Sequence, residues 1–173
     1  MQTEFQQALE QHRQRVVTLA RYSLRSAADA EDIAQEVFVK LWHHWPSVEG
    51  DKRLAWLMRV THNAVIDLLR RRKTKNAQLD ETVDVEVLTA GESQSVNWED
   101  GQLRQELSEA ISGLDDPFRS ILVMRDIQGL SYADIEQSLE MNSSQVKVYL
   151  HRARRKLRDN PKLRQQFDAL SGD

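Results

Sequence analysis

The stretch SYADIEQSLEMNSSQVKVYLHRARRKLR, Ser131 to Arg158, decides how the rest of the chain is read. Ser131 stands three residues before Asp134, and Asn142 three before Gln145. Both spacings are those of a helix start in which the first and fourth residues satisfy each other's backbone amides. Two helices are therefore predicted, with Leu139 closing the apolar side of the first and Glu140-Met141 turning between them. In the second helix Val146, Leu150, Ala153 and Leu157 recur at helical spacing as one stripe to be buried. Its other faces carry Lys147, Arg152, Arg154, Arg155, Lys156 and Arg158, with no carboxylate between Gln145 and Arg158. Cations alone fit a solvated helix end that complements the dipole. A capped helix pair with a cationic second member fits a unit that lays a helix against the phosphates of duplex DNA.

Helical geometry turns Ser144, Val148, His151 and Arg155 away from the stripe and puts Gln145, Tyr149 and Arg152 on its flank. Residues near the N-terminus of such a helix meet base edges. Ser144, Gln145, Val148, Tyr149 and Arg152 are thus candidate base contacts, and Lys147, His151, Arg154 and Arg155 candidate phosphate contacts.

With 173 residues, 40% apolar and 29% charged, the chain has room for one ordinary domain or two small ones. No apolar run approaches the roughly 20 residues that span a bilayer. The start, MQTEFQQALEQ, lacks the basic and apolar segments of a signal peptide, so a cytoplasmic protein without membrane insertion is expected. The lack of cysteine removes disulfides, thiol catalysis and Cys-based zinc sites. His43 and His44 point about 100° apart on a helix, so they do not converge on a metal, and no cofactor is expected. Without HExxH, a P-loop or a GxSxG elbow, no enzymatic activity is expected either. The formal net charge of −3 makes the distribution of charge more informative than its total.

From Glu4 to Leu24 the residues Phe5, Leu9, Val16, Leu19, Ala20 and Leu24 keep a helical period. Asp29, three residues before Asp32, is expected to open a second helix reaching about His44. Its inner stripe is Ile33, Val37 and Leu41, widened by Ala34, Phe38 and Trp42, while Asp32, Gln35, Glu36, Val39, Lys40 and His43 face outward. By spacing alone that outer set is plain surface. Trp45-Pro46 ends the helix, and after SVEGDKR a long helix is predicted over Leu54–Lys73 with Leu57, Val60, Ala64, Val65 and Leu68 in its seam. Its end is basic, through Arg70, Arg71, Arg72, Lys73 and Lys75. Trp56, Arg59, His62 and Asn63 are types that hold unstacked bases, although core is the commoner fate of a lone tryptophan such as Trp56.

Between Thr74 and Asp100, Lys75 alone offsets Asp80, Glu81, Asp84, Glu86, Glu92, Glu99 and Asp100, and the stretch reads as an acidic, extended linker. VDVEVL alternates like a strand but has no partner, and no strand is assigned. Leu103, Leu107, Ile111 and Leu114 resume the helical period, Phe118 to Asp126 forms another helix, and one short helix follows Asp159 before the end frays. The expectation is an all-α chain of two small helical domains, 1–73 and 98–173, joined by an acidic linker over 74–97.

The blocks DAEDIAQEVFVKLW and WLMRVTHNAVIDLLRRRK resemble the second region of bacterial sigma factors of the extracytoplasmic-function (ECF) type. LDDPFRSILVMRDIQGLSYADIEQSLE and QVKVYLHRARRKLR resemble the fourth region. The resemblance implies a promoter-specificity subunit that binds core RNA polymerase and helps melt promoter DNA. It implies that Asp32, Gln35, Glu36 and Phe38 dock on the clamp helices of the largest polymerase subunit. Val48, Asp51, Lys52, Arg53, Arg59, His62, Asn63 and Arg70 would meet the minus-10 element, with one extruded base at the loop Val48–Arg53 and Asn63. The linker would run through the RNA exit channel, the second half would meet the polymerase flap, and the last basic helix would read the minus-35 element. An inhibitory anti-sigma partner is implied as well. The family usually has glycine where this chain has Glu140, so either the turn avoids positive φ or some strain is tolerated. Ser144-Gln145 and Val148-Tyr149 stand where members often have Gly-Thr and Ser-Arg. The alternative, a stand-alone helix-turn-helix regulator, accounts for the second half only and would bind paired half-sites as a dimer.

Overall fold

A computed structural model describes residues 1–79 and 101–171. Helix α1 (Gln2–Leu24) carries the first apolar stripe, of which Val16, Leu19 and Ala20 are wholly buried. It stops where Arg25 turns left-handed at φ 53°. Helix α2 (Ala27–His44) begins earlier than Asp29, because the Ser26 hydroxyl accepts the Asp29 amide at 3.2 Å and is the cap. Asp29 itself lies in the first turn, where its carboxylate takes the Arg72 guanidinium at 2.7 Å. That bond is the main reason its carboxyl is held below the usual range. Trp42, expected on the inner stripe, remains 40% exposed with its ring edge-on to Phe5 at 4.9 Å.

Short 3₁₀ turns at Trp45–Ser47 and Gly50–Lys52 lead into α3 (Arg53–Leu79). This helix runs past Lys73 through residues 74–79, expected in the linker, since TKNAQL contains neither glycine nor proline to stop it. The remainder of the linker, Asp80 to Asp100 with VDVEVL, lies outside the described residues. α1 lies across α2 and α3, and Leu19, Leu41, Leu57 and Met58 meet between them without solvent exposure.

In the second half come α4 (Gly101–Ser112), α5 (Phe118–Leu122), α6 (Tyr132–Leu139), α7 (Ser143–Arg158) and α8 (Pro161–Ser171). The helix expected over Phe118–Asp126 opens into a π turn at Val123–Ile127. Ile121, Met124, Ile135, Val146, Leu150 and Ala153 form the core on which α7 sits. Asn142 and Gln145 make the full reciprocal cap, at 2.8 and 2.9 Å. Ser131 accepts the Asp134 amide at 3.0 Å, but its hydroxyl donates to the Asp134 carboxylate at 2.7 Å, so the reciprocal half is side chain to side chain. The α6–α7 turn does not avoid positive φ: Glu140 sits at φ 55°, ψ 43°. A left-handed L-residue costs roughly 1–2 kcal/mol, which glycine would not incur.

The halves do not stand apart. α6 packs on α3, α4 and α5 pack on α1, and one continuous apolar core runs from Ala8 to Ala153. Polar contacts cross the same seam: Arg15 Nη1 donates to the Gln128 carbonyl at 3.2 Å, and Gln128 Nε2 to the Arg15 carbonyl at 3.0 Å.

Candidate nucleic-acid interfaces

Burying Val146, Leu150 and Ala153 leaves the opposite face of α7 in solvent, with Ser144, Gln145, Lys147, Val148, His151, Arg152 and Arg155 all exposed. Val148 is apolar yet 46% exposed in the middle of this polar face. The Gln145 side-chain oxygen is occupied by the cap, so its amide nitrogen is the group free to point outward. Arg155 Nε lies 3.8 Å from the Asp159 carboxylate yet stays 67% exposed, while two other candidates are held more firmly within the domain. Tyr149 is half-buried with its ring on Phe118 at 5.5 Å. Arg154 forks onto Asp126 at 2.8 and 2.6 Å, and that bond raises its pKa further. Asp126 lies 28 residues away and offered no sequence signal.

The expected minus-10 residues divide. Val48, Lys52 and Arg59 converge on a cleft of about 190 Å³, with Ser47, Glu49, Ala55 and Trp56. Val48 is buried and forms wall rather than surface, Lys52 is paired with Glu49 at 2.6 Å, and Trp56 is half-buried 5.9 Å from the His44 ring. Arg53 turns away, its guanidinium 3.8 Å from the centre of the Trp45 ring. Asp51, Asn63 and Arg70 are exposed but do not line the cleft.

Its remaining wall is Gln137 of α6, from the other half of the chain. Arg59 pairs with Glu140 at 3.0 Å, a bond between residues 81 positions apart. His62 Nδ1 lies 2.9 Å from Ser120 Oγ, whose hydroxyl donates to Asp116. That network requires the histidine proton on Nδ1. Burial lowers the His62 pKa; the Asp116 carboxylate works against the shift and the Arg119 guanidinium adds to it. Asp116 also takes Arg119, which in turn donates to the Ser112 carbonyl at 3.0 Å, so Ser120 rests on a rigid buried cluster.

On α2, Asp32, Gln35, Glu36, Val39 and Lys40 are exposed as one outer face. Glu36 meets Lys40 at 2.6 Å, an i,i+4 pair worth a few tenths of a kcal/mol. Phe38 is 5% exposed and belongs to the core beneath this face.

An all-helical chain with a capped, outward-facing cationic helix and a second cleft of basic and aromatic groups is, as a class, a DNA-handling transcription protein. Residues 8–75 match the family Sigma-70 region 2, and residues 104–157 match Sigma-70, region 4. The chain is 33% identical over 138 residues to the RNA polymerase sigma factor YlaC of Bacillus subtilis, covering 76% of each protein. It is 33% identical over 150 residues to the ECF RNA polymerase sigma factor SigE of Mycolicibacterium smegmatis. That match covers 86% of this chain and 58% of the length of SigE. Among solved structures, the sigma factor RpoE of Bartonella quintana, in complex with the anti-sigma factor NepR, superposes with a TM-score of 0.77. It has 22% identity, over 90% of this chain and 95% of that one, a likeness of fold. CnrH, in complex with the cytosolic domain of CnrY, gives 0.64 at 24% identity over 91% and 86%. The chain belongs to the ECF subfamily of sigma-70-type RNA polymerase sigma factors, the subunits that direct the polymerase to specific promoters. Among the described residues no helix is long and apolar enough to cross a membrane.

Proposed function

We propose that this sigma factor divides its work among three faces. The outer face of α2, through Asp32, Gln35 and Glu36 over Phe38, docks on the clamp helices of core polymerase. The cleft at Val48, Lys52 and Arg59, together with Asp51, Arg53, His62, Asn63 and Arg70 outside its lining, takes the opened minus-10 strand. Helix α7 reads the minus-35 duplex, with Ser144, Gln145, Val148 and Arg152 toward bases and Lys147, His151 and Arg155 toward phosphates. Tyr149 and Arg154 act from behind, since each is already engaged inside the domain. The linker occupies the RNA exit channel, and the second half meets the flap. An anti-sigma partner is part of the proposal, supported by the two solved relatives, RpoE and CnrH, held by NepR and CnrY.

The observation that carries the reading is the exposed cationic face of α7, a helix with a full reciprocal cap behind the Ser131-capped α6, joined in one chain to the sigma-type first half. Docking provides the test. Asp32→Lys with Glu36→Lys changes exposed residues, so stability should shift within about 0.5 kcal/mol. Retention on immobilised core polymerase is nonetheless expected to fall at least tenfold; undiminished retention removes α2 from the interface.

A further inference from the structure

We propose that the open face of α7 reads a minus-35 element built on guanine and thymine: Gln145 takes a guanine edge through its amide nitrogen alone, and Val148 meets a thymine methyl. The inference rests on the reading of α7 as the minus-35 helix and names the base chemistry that this chain's own residues select. It starts from the cap. The backbone amide of Asn142 can only donate, so the atom facing it at 2.9 Å has to be the Gln145 side-chain oxygen. Asn142 Oδ1 takes the Gln145 amide at 2.8 Å in return, which closes the reciprocal cap. A glutamine pairs with adenine by accepting from N6 while donating to N7. Here the accepting half is engaged inside the helix start. What an exposed Gln145 still offers is an NH2 group, two donors and no acceptor.

In the major groove guanine presents two acceptors side by side, N7 and O6. Adenine and thymine show one acceptor each, and cytosine shows a donor. A donor-only side chain therefore prefers guanine and rejects cytosine most. Val148 supplies the second choice. It is 46% exposed between Gln145 and Arg152 and has no polar atom with which to bond a base. Tyr149, next along, leans on Phe118 with ring centres 5.5 Å apart and leaves the valine as the apolar group of the open face. Pressed on a polar base edge, the valine would strip water from a donor or acceptor without replacing its bond. Against the thymine methyl it loses nothing. The rise of the helix sets Val148 about 4.5 Å beyond Gln145 and Arg152 about 6 Å beyond Val148. The three side chains thus address base pairs roughly one or two steps apart.

Holoenzyme reconstituted with the full chain is used to select duplexes randomised over the upstream promoter region, and base analogues are then placed in the enriched element. Deoxyuridine, which lacks only the methyl, should lower binding about threefold to fivefold at one thymine, the scale of one methyl returned to water. With Val148→Ala that loss should disappear. 7-Deazaguanine, which lacks the N7 acceptor, should cost about twofold to tenfold at one guanine, the scale of one neutral hydrogen bond. Gln145→Glu keeps the oxygen that caps α7 and turns an acceptor outward in place of the donor, so its denaturation midpoint should match the parent's. It should convert the guanine preference at that position into one for cytosine, whose N4 donates. Deoxyuridine tolerated at every thymine overturns the valine contact. A base preference unmoved by Gln145→Glu, or an adenine preference lost with it, overturns the amide reading, while an enriched upstream element leaves α7 as the reader. If the parent holoenzyme enriches no upstream element, the minus-35 assignment of α7 itself falls.

Discussion

Helices α3 and α7 carry similar chemistry and present it in opposite ways. Both offer arginine and histidine on one face, yet on α7 His151, Arg152 and Arg155 stand in solvent while on α3 Arg59 and His62 are bonded to the other half. The contrast follows from what each helix has to bury. α7 has a single apolar stripe, satisfied by its own domain, so its polar face is left over. α3 buries Leu57, Met58, Ala64 and Val65 against α1 and α2, and its next face receives α6. A cationic face is therefore a site in waiting only when nothing in the same chain is shaped to take it. Net charge cannot make that distinction, because both helices contribute to a chain whose total is −3.

The largest break in the comparison is expected from the support of the open face. Leu150 is 2% exposed beneath α7, and Leu150→Ala should cost roughly 2–5 kcal/mol, the usual range for a buried leucine whose space does not collapse. Chemical denaturation of the full chain checks this; a loss below about 1 kcal/mol would mean that α7 is not held by its stripe.

Next in size is the division of labour on the open face. Arg152→Ala should flatten preference at one position of the minus-35 duplex by about 1–3 kcal/mol. Arg155→Ala should instead weaken all sequences alike and lower the salt slope of binding by roughly 1. Arg154→Ala should change the slope less than Arg155→Ala, because Asp126 already neutralises that guanidinium. Titrations of single-base duplex variants at several salt concentrations decide the matter: a uniform loss with Arg152→Ala takes that residue off the bases.

The smallest expected effect sharpens the covered face. His62 has a lowered pKa in the folded chain, through burial first, opposed next by the Asp116 carboxylate and reinforced least by Arg119, so its neutral form is favoured. The unfolded or opened chain binds that proton more readily, and the stability contributed by neutral His62 is present above its ordinary pKa of 6.5 and lost as pH falls through the lowered value. His12, lowered by burial and by Arg15 and Arg53, acts with the same sign and has to be separated. His62→Gln retains an amide donor for Ser120 but does not titrate. Its stability should decline less than the parent's between about pH 7.5 and about pH 5.5, with His12 supplying the remainder. Equal slopes for the two proteins would take His62 out of the pH response.

Local patterns were legible in the chain. Asn142 with Gln145, the stripe Val146–Leu150–Ala153, the stop at Trp45-Pro46 and the outward set Asp32, Gln35, Glu36 each depend on residues within a turn or two of one another. Helix period and capping decide such features without knowledge of the rest of the molecule. The two sigma-type blocks were likewise present as strings of residues. What the sequence left open was which polar groups remain free. Arg154 lost its freedom to a residue 28 positions away, His62 to one 58 away and Arg59 to one 81 away. The reach of α3 to Leu79 and the cap at Ser26 were local choices read a few residues off, and Trp42's exposure depended on how α1 crosses α2. The pairings across the seam depend on how α6 seats on α3 and α5 on α1. No period encodes that seating, because packing is settled by the shapes of two surfaces that meet only when the chain has folded.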